Sequence, residues 1–444
     1  MTTGENTRAV LQHVDGTWSE QELLGKAACL AAQLPNGRYA INLCEDRGNF
    51  LLAFVAALQR SHTTLLPAAR AVQAVAEVAQ LYPDSYRCDD AFVTTALAGD
   101  DAPAQPVKRL ALASIEPDFE AAIGFTSGST GTPQAHLKRW RMLANSARIN
   151  GAAMRAALGA GVDVSNATIV ATVPSQHMYG MELTVMLPLL GGVAIHQARP
   201  LFAAEIAAAL ATAPEPRILV STPVHLRVLL ESSLELPSVA LIVSATAPLG
   251  QALAAQLEDR LRTRLLEMFD ATETMVIATK RSTRESAWQL YPGVTLTPGI
   301  DCTHVDAAWF DQSQKLLDVV ELLPDGRFEL RGRSADLIEI AGKRASLNDL
   351  TRRLLAIDGV VDAVVVQTGS EQDQIRRVAA LVVAPTLAPQ AISAALAKSV
   401  DAVFLPRPLR VVPELPRNAV GKLPRAAVLQ ALNSAAGNVT RKND

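Results

Sequence analysis

The stretch from Gly124 to Trp140 reads GFTSGSTGTPQAHLKRW. Three glycines (Gly124, Gly128, Gly131) and five hydroxyl residues (Thr126, Ser127, Ser129, Thr130, Thr132) fall within its first nine positions. The apolar run AAIGF leads into it, and KRWRMLANSARI, with helical spacing of apolar residues, follows. The pattern therefore predicts a strand, a glycine-rich loop and a helix. Glycine allows a tight turn and close approach of backbone to a ligand. Successive N–H groups and hydroxyls then form a cradle for anionic oxygens. A solvated Gly/Ser linker is the bland alternative, but a linker has no reason to sit between a strand and a helix. The Walker pattern G-x-x-x-x-G-K-[ST] cannot be aligned here. Phosphate binding is the expectation.

The surrounding chain agrees with that reading. ILVST (Ile218–Thr222) and ALIVSA (Ala240–Ala245) are short apolar runs bounded by turn residues, as buried strands are. VHLRVLLESS and QALAAQLEDRLRTRL carry apolar residues at helical spacing. Such alternation predicts an α/β fold with a largely parallel sheet.

Length and composition bound the answer. The chain has 444 residues, more than one hydrophobic core usually organises, so at least two domains are expected. It is 49% hydrophobic with a net charge of −3, which fits a globular protein and argues against a nucleic-acid partner. Cys29, Cys44, Cys88 and Cys302 lie far apart, with no C-x-x-C pair, and read as reduced thiols of a cytoplasmic protein. The opening MTTGENTRAVLQHVDG has no apolar core of a secretory signal. The apolar stretch Val378–Ala397 contains Pro385 and Pro389 and is not expected to span a membrane.

Near residue 332 the texture changes. FELRGRSADLIEIAGKR is charged and glycine-punctuated, and a unit of helix, two strands (VVDAVVVQ and RRVAALVVA), helix and Pro-rich tail follows. The boundary is expected at about Arg333–Asp336, giving domains 1–333 and 336–444. From Asp336 onward there are 14 Lys+Arg against 10 Asp+Glu, so the smaller domain is mildly basic.

TSGSTGTP resembles the phosphate loop of the adenylate-forming superfamily, which comprises acyl- and aryl-CoA synthetases, peptide-synthetase adenylation domains and luciferases. Four further segments match in the same order. DGTWSEQELLGKAACLAAQL and NFLLAFVAALQRSHTTLLP also look like that family's opening, so the resemblance covers nearly the whole chain. It implies a large N-terminal domain of layered sheets and helices, with a small mobile C-terminal α+β domain. It also implies an ATP-dependent ligase that forms an acyl-AMP and pyrophosphate, then passes the acyl group to a thiol.

The resemblance assigns roles to particular residues. Thr126, Ser127, Gly128, Ser129, Thr130 and Gly131 would cradle ATP phosphates. In FDATE (Phe269–Glu273), Glu273 would hold Mg²⁺, Thr272 would touch the α-phosphate, and Phe269 and Asp270 would border adenine. A hard cation needs oxygen ligands, and Mg²⁺ usually takes one or two protein carboxylates. Asp318 and Arg333, 15 positions apart, match the ribose-binding pair, and PDG (Pro324–Gly326) between them reads as a hairpin turn. Gly342, Lys343 and Arg344 resemble the loop lining the thiol donor's tunnel. In PRNAVGKLPR, Lys422 matches the catalytic lysine that stabilises charge growing on the α-phosphate. Without the resemblance, Glu273 reads as a helix-start carboxylate and Lys422 as a surface lysine.

Departures from the pattern matter too. Gln134 replaces the lysine that usually ends the loop, with His136, Lys138 or Arg139 as possible substitutes. Asp270 replaces a glycine, and Ala335 replaces a charged hinge residue. They leave a degenerate, nucleotide-binding non-enzyme as the rival reading. PSQHMYGMELTVMLPLLGG aligns with the acid-pocket helix, where amino-acid-activating members carry an Asp and this chain carries Met178. An unpaired ammonium in an apolar pocket is costly, so an amino acid is disfavoured, with Glu182 as the reservation. His177 and Tyr179 are expected to line the pocket, or else to pack as core aromatics. Thr222, Pro223, Ser244, Ala245 and Thr246 are further expected wall positions. The compact body and the loop variant look like the small ligases of aryl-polyene and xanthomonadin pigment pathways. Those load a hydroxybenzoate-type acid onto an acyl carrier protein; CoA is the alternative acceptor. Arg407, Arg410, Arg417 and Arg425 would face an acidic carrier.

Overall fold

The structure, a computed structural model, describes residues 8–13, 16–98, 111–127, 133–159, 166–299, 302–333, 337–340, 343–368, 377–417 and 423–434. The chain groups into two compact units, 1–295 with 306–314 and 296–305 with 315–444. The expected boundary at 333–336 lies inside the second of these.

The first unit holds two sheets of the predicted α/β kind. In the nine-stranded sheet, the neighbours Arg264–Ala271, Leu241–Ser244, Arg217–Ser221, Thr168–Ala171 and Ala194–His196 run parallel. Antiparallel strands stand at either side, Met275–Lys280 beside Arg264–Ala271 and Gly16–Ser19 beside Ala9–His13. Leu241–Ser244 is buried throughout, the pattern of a parallel strand covered on both faces. Helices Ala203–Thr212, Pro223–Glu231 and Gln251–Leu261 supply Ile206, Leu226, Leu229 and Leu257 to the core around Leu219 and Ile242.

The five-stranded sheet has the order Ser85–Cys88, Tyr39–Asn42, Thr63–Leu66, Glu120–Ser127, Pro133–Arg139. Here the structure corrects the sequence reading. The glycine-rich loop joins two antiparallel strands, and the helix Trp140–Leu158 starts only after the second. By sequence pattern KRW reads as the start of the helix, because its spacing continues one. In fact Pro133–Arg139 alternates, with Leu137 packed into the Ile41, Leu65 and Phe125 cluster while His136 and Lys138 face the other way.

The acid-pocket segment forms a helical run from Met178 to Leu190 that widens to π geometry over Met181–Met186. A Cβ on Gly180 would lie 1.9 Å from the Pro174 carbonyl oxygen, so only glycine allows this approach.

The second unit contains a three-stranded sheet in which Asp362–Thr368 pairs antiparallel with Arg377–Val383. Alternate residues point to opposite faces. Ala363 and Val365 meet Leu350 and Leu354 of the helix Leu347–Leu355 together with Ile392 and Leu396, whereas Val366 meets Val428 and Leu432. This α+β layering matches the sequence expectation. Among the described residues, no helix is long and apolar enough to cross a membrane.

Candidate active site

The strands Glu120–Ser127 and Pro133–Arg139 form a hairpin whose tip, Gly128 to Thr132, lies outside the described residues. Cross-strand pairs place Thr126 opposite Gln134, Gly124 opposite His136 and Ala122 opposite Lys138. Directly opposed residues share a face, so this polar face is one continuous surface below the loop. A Cβ on Gly124 would lie 3.1 Å from Met178 Cε and 3.2 Å from Thr272 Cγ2. The bare backbone there lets the hairpin, the FDATE segment and the acid-pocket helix converge.

FDATE ends the strand Arg264–Ala271 and turns into Met275–Lys280, with a bulge between Phe269 and Asp270. Phe269 packs against Trp288, ring centroids 5.5 Å apart, and the Lys280 ammonium lies 4.6 Å from the Trp288 centroid. His136 Nε2 is 2.9 Å from Thr126 Oγ1 and 3.8 Å from Glu273 Oε1. Burial holds the imidazole's pKa below its usual value, against the opposing pull of Glu273. Lys138 is fully buried, and its Nζ donates to the Glu273 carbonyl at 2.7 Å. Burial pushes its ammonium down to about 8, with Glu182 and Glu273 acting in the other direction.

Glu182 is wholly buried and does not stand free to hold an amine. It accepts from Ser146 Oγ, from Asn150 Nδ2 at 3.3 Å and from the Val276 N–H at 3.1 Å to each carboxylate oxygen. Tyr291 Oη donates to Asn150 Oδ1 at 2.7 Å, extending the network. Burial raises the carboxyl to about 7 although the donors favour its ionised form.

The expected wall positions gather at the carboxyl ends of the parallel strands. Tyr179 is buried and its hydroxyl donates to the Val243 carbonyl at 3.1 Å. His177, half-buried, immediately precedes the buried Met178. Thr172 Oγ1 lies 3.0 Å from Ser221 Oγ, and Thr222 Oγ1 lies 2.8 Å from His225 Nδ1. Pro223 opens the following helix. Ser244 Oγ is buried without a hydrogen-bond partner among the described residues. Ala245 is buried next to it, and Thr246 is exposed at φ 73°, a left-handed conformation uncommon outside glycine. His225 and the Ser146–Asn150–Tyr291 network were not among the sequence candidates. Glu182 carried a signal, a lone charge inside MYGMELTVMLPLL.

In the second unit, Asp318 stands opposite Arg333 across the hairpin Asp318–Leu322/Phe328–Arg333. Gly326 at φ 81° makes the turn, so PDG is a hairpin turn as read. Lys343 and Arg344 pair with Ile340 and Glu339 across a second hairpin, whose connecting Gly342 lies outside the described residues. Lys422, Ala335 and Asp336 lie outside them as well. Arg417 is paired with Asp362 at 2.9 Å, and Arg425 donates to the Gln367 carbonyl at 2.9 Å.

A single carboxylate at Glu273, one-quarter exposed and sharing the His136 ring with the Thr126 hydroxyl, would suit Mg²⁺, a hard cation that usually takes one or two protein carboxylates. Among the described residues, no cluster of three or more His, Cys, Asp or Glu could form an all-protein metal cage.

A family model for AMP-binding enzymes matches residues 33–312. The chain belongs to the AMP-binding enzymes. A 4-coumarate–CoA ligase from Halorhodospira halophila is 32% identical over 308 residues, 67% of this chain and 73% of its own. ATP-bound MatB from Rhodopseudomonas palustris superposes with a TM-score of 0.75 at 18% identity, covering 99% of this chain and 98% of its own. A benzoate CoA ligase from Burkholderia xenovorans LB400 gives 0.75 at 16% identity, over 96% and 97%. These two structures establish the adenylate-forming fold along nearly the whole chain. This AMP-binding enzyme is thus an adenylate-forming ligase that uses ATP to activate a carboxylic acid for transfer to a thiol.

Proposed function

We propose that this enzyme adenylates a hydroxybenzoate-type aryl acid and loads it onto the phosphopantetheine thiol of an acyl carrier protein in the cytoplasm, with CoA as the alternative acceptor. The observation that carries the substrate assignment is Met178. It is buried with its Cε beside Gly124, and Glu182, the carboxylate of the same helical run, is already bonded by Ser146, Asn150 and Val276. An apolar side chain at the position where an ammonium would need a counter-ion suits an aryl acid and disfavours an amino acid. The Ser244 hydroxyl, without a partner among the described residues, and the Thr222–His225 pair offer polar partners for a ring hydroxyl. His177, the Tyr179 ring, Pro223, Ala245 and Thr246 complete the wall in this reading. The aryl-acid names of the relatives, 4-coumarate and benzoate, support the same class.

In the reaction, a carboxylate oxygen attacks the α-phosphorus of ATP. The bond to the bridging oxygen of pyrophosphate breaks, giving the acyl-AMP. Thr126 to Gly131 hold the phosphates, Thr272 hydrogen-bonds the α-phosphate, Phe269 and Asp270 border adenine, and Asp318 and Arg333 take the ribose. Mg²⁺ on Glu273 would supply Lewis-acid charge neutralisation. Lys422 stabilises the charge growing on the α-phosphate. A thiolate then attacks the acyl carbon and AMP leaves. We assign this second step to a rotated position of the 336–444 domain, in which Gly342, Lys343 and Arg344 line the thiol's approach.

Acid-dependent ATP–pyrophosphate exchange with Mg²⁺ tests the first step. Strong exchange with one hydroxybenzoate, abolished by Lys422→Ala, is the expected result, and exchange with amino acids alone would overturn the assignment. Acyl transfer to holo-carrier protein and to CoA, compared side by side, decides the acceptor.

A further inference from the structure

We propose that Lys138 and Glu182 are positioning residues that grip the main chain on either side of Met275, at the exit of the Thr272–Glu273 turn, and set the geometry of the nucleotide and Mg²⁺ site. The inference rests on the reading of that turn as the nucleotide-binding segment.

The turn does not hold itself. Met275, buried two residues past Glu273, has φ 65°, which costs a non-glycine residue roughly 1–2 kcal/mol and persists only where neighbours over-determine it. The neighbours are two buried charges. Lys138 Nζ donates to the Glu273 carbonyl at 2.7 Å on one side of Met275. Glu182 accepts the Val276 N–H at 3.1 Å on the other. Each charge bonds the main chain of the turn, so it fixes backbone and not merely a rotamer. Charge-assisted hydrogen bonds in a dry interior are short and directional, which suits a site needing sub-ångström placement.

Retaining them is expensive. Burial pulls the Lys138 ammonium down and pushes the Glu182 carboxyl up, the mark of charges denied water. Apolar residues would serve stability alone at least as well. The supports of the pair are also informative. Lys138 lies on the strand descending from the phosphate loop, and the next helix, Trp140–Leu158, contributes Ser146 and Asn150 to Glu182. One continuous piece of chain therefore carries the loop and clasps the turn. Gly124, on the strand leading to the loop, lets the hairpin approach Thr272 without an intervening side chain.

The test is pyrophosphate exchange by full-length Lys138→Met and Glu182→Gln, with thermal unfolding recorded for each and wild type as control. The expected result is a kcat at least tenfold lower, an acid KM within about twofold of wild type, and a Mg²⁺ concentration for half-maximal exchange raised several-fold. A merely structural role predicts lower unfolding temperatures with kcat and Mg²⁺ dependence unchanged per folded molecule, and that outcome overturns the proposal. Should both variants fail to fold, Ser146→Ala decides, because it loosens Glu182 at a distance from the turn. A kcat loss of about threefold with raised Mg²⁺ demand supports the grip, and wild-type values sink it. Exchange absent from wild type itself would instead refute the proposed function.

Discussion

Asp318 and Arg333 are Cα partners across a single hairpin, the outermost pair of the strands Asp318–Leu322 and Phe328–Arg333. Their separation of 15 positions is therefore the length of two strands and a turn, and antiparallel register converts it into adjacency. In the proposed ribose-binding role, Asp318→Ala would remove an acceptor for two ribose hydroxyls, and hydrogen bonds to a charged group are worth about 1.5–3 kcal/mol. The KM for ATP in pyrophosphate exchange should rise by roughly ten- to a hundredfold, with the acid KM little changed. An unaltered ATP KM would remove Asp318 from the nucleotide site.

Gly124 offers a steric probe of the convergence point. An added Cβ would lie 3.1 and 3.2 Å from the ends of the Met178 and Thr272 side chains, contacts that must give by a few tenths of an ångström. Gly124→Ala should keep its fold, with a stability loss of order 1 kcal/mol, yet reduce exchange markedly because Thr272 is pushed. Gly124→Val should be inactive. Full activity in the valine variant would show that Thr272 can move freely.

Glu182 titrates from an ordinary value of 4.5 in the unfolded chain to about 7 in the fold. Between these pH values the folded protein keeps a proton that the unfolded chain has released. Stability should thus fall as pH rises through the window, by up to about 1.4 kcal/mol per pH unit from this group. Urea unfolding across the window should show that slope in wild type and a flatter profile in Glu182→Gln. Parallel profiles would mean the carboxyl is not desolvated as the structure has it.

Tyr179→Phe separates the ring from its hydroxyl. The hydroxyl donates to the Val243 carbonyl inside the core, so its loss should destabilise by about 1 kcal/mol while leaving the acid KM unchanged. A raised acid KM would mean that the phenol itself touches substrate.

Much of this protein is legible in its residues. The parallel strands around Leu219 and Ile242 show as apolar runs because both of their faces are covered. The apolar run VVDAVVVQ shows as a strand because both of its faces are covered, Ala363 and Val365 packing opposite to Val366. TSGSTG and FDATE are legible because glycines, hydroxyls and a carboxylate at fixed spacing have few other uses. The second strand of the loop hairpin was not. Its His136 and Lys138 read in sequence only as possible stand-ins for the missing loop lysine, and their places beside the partner strand and the FDATE turn come from contacts between distant segments.

By itself, then, the sequence determined the class of fold and the family, and marked the segments proposed here to bind nucleotide, since each of these is written in local pattern and spacing. Only the tertiary structure decided that Lys138 and Glu182 are buried main-chain anchors, that Met178 meets Gly124, and that Asp318 faces Arg333. Those are contacts between distant segments. No local pattern states them, because burial turns an ordinary surface charge into a structural one only when another part of the chain removes its water.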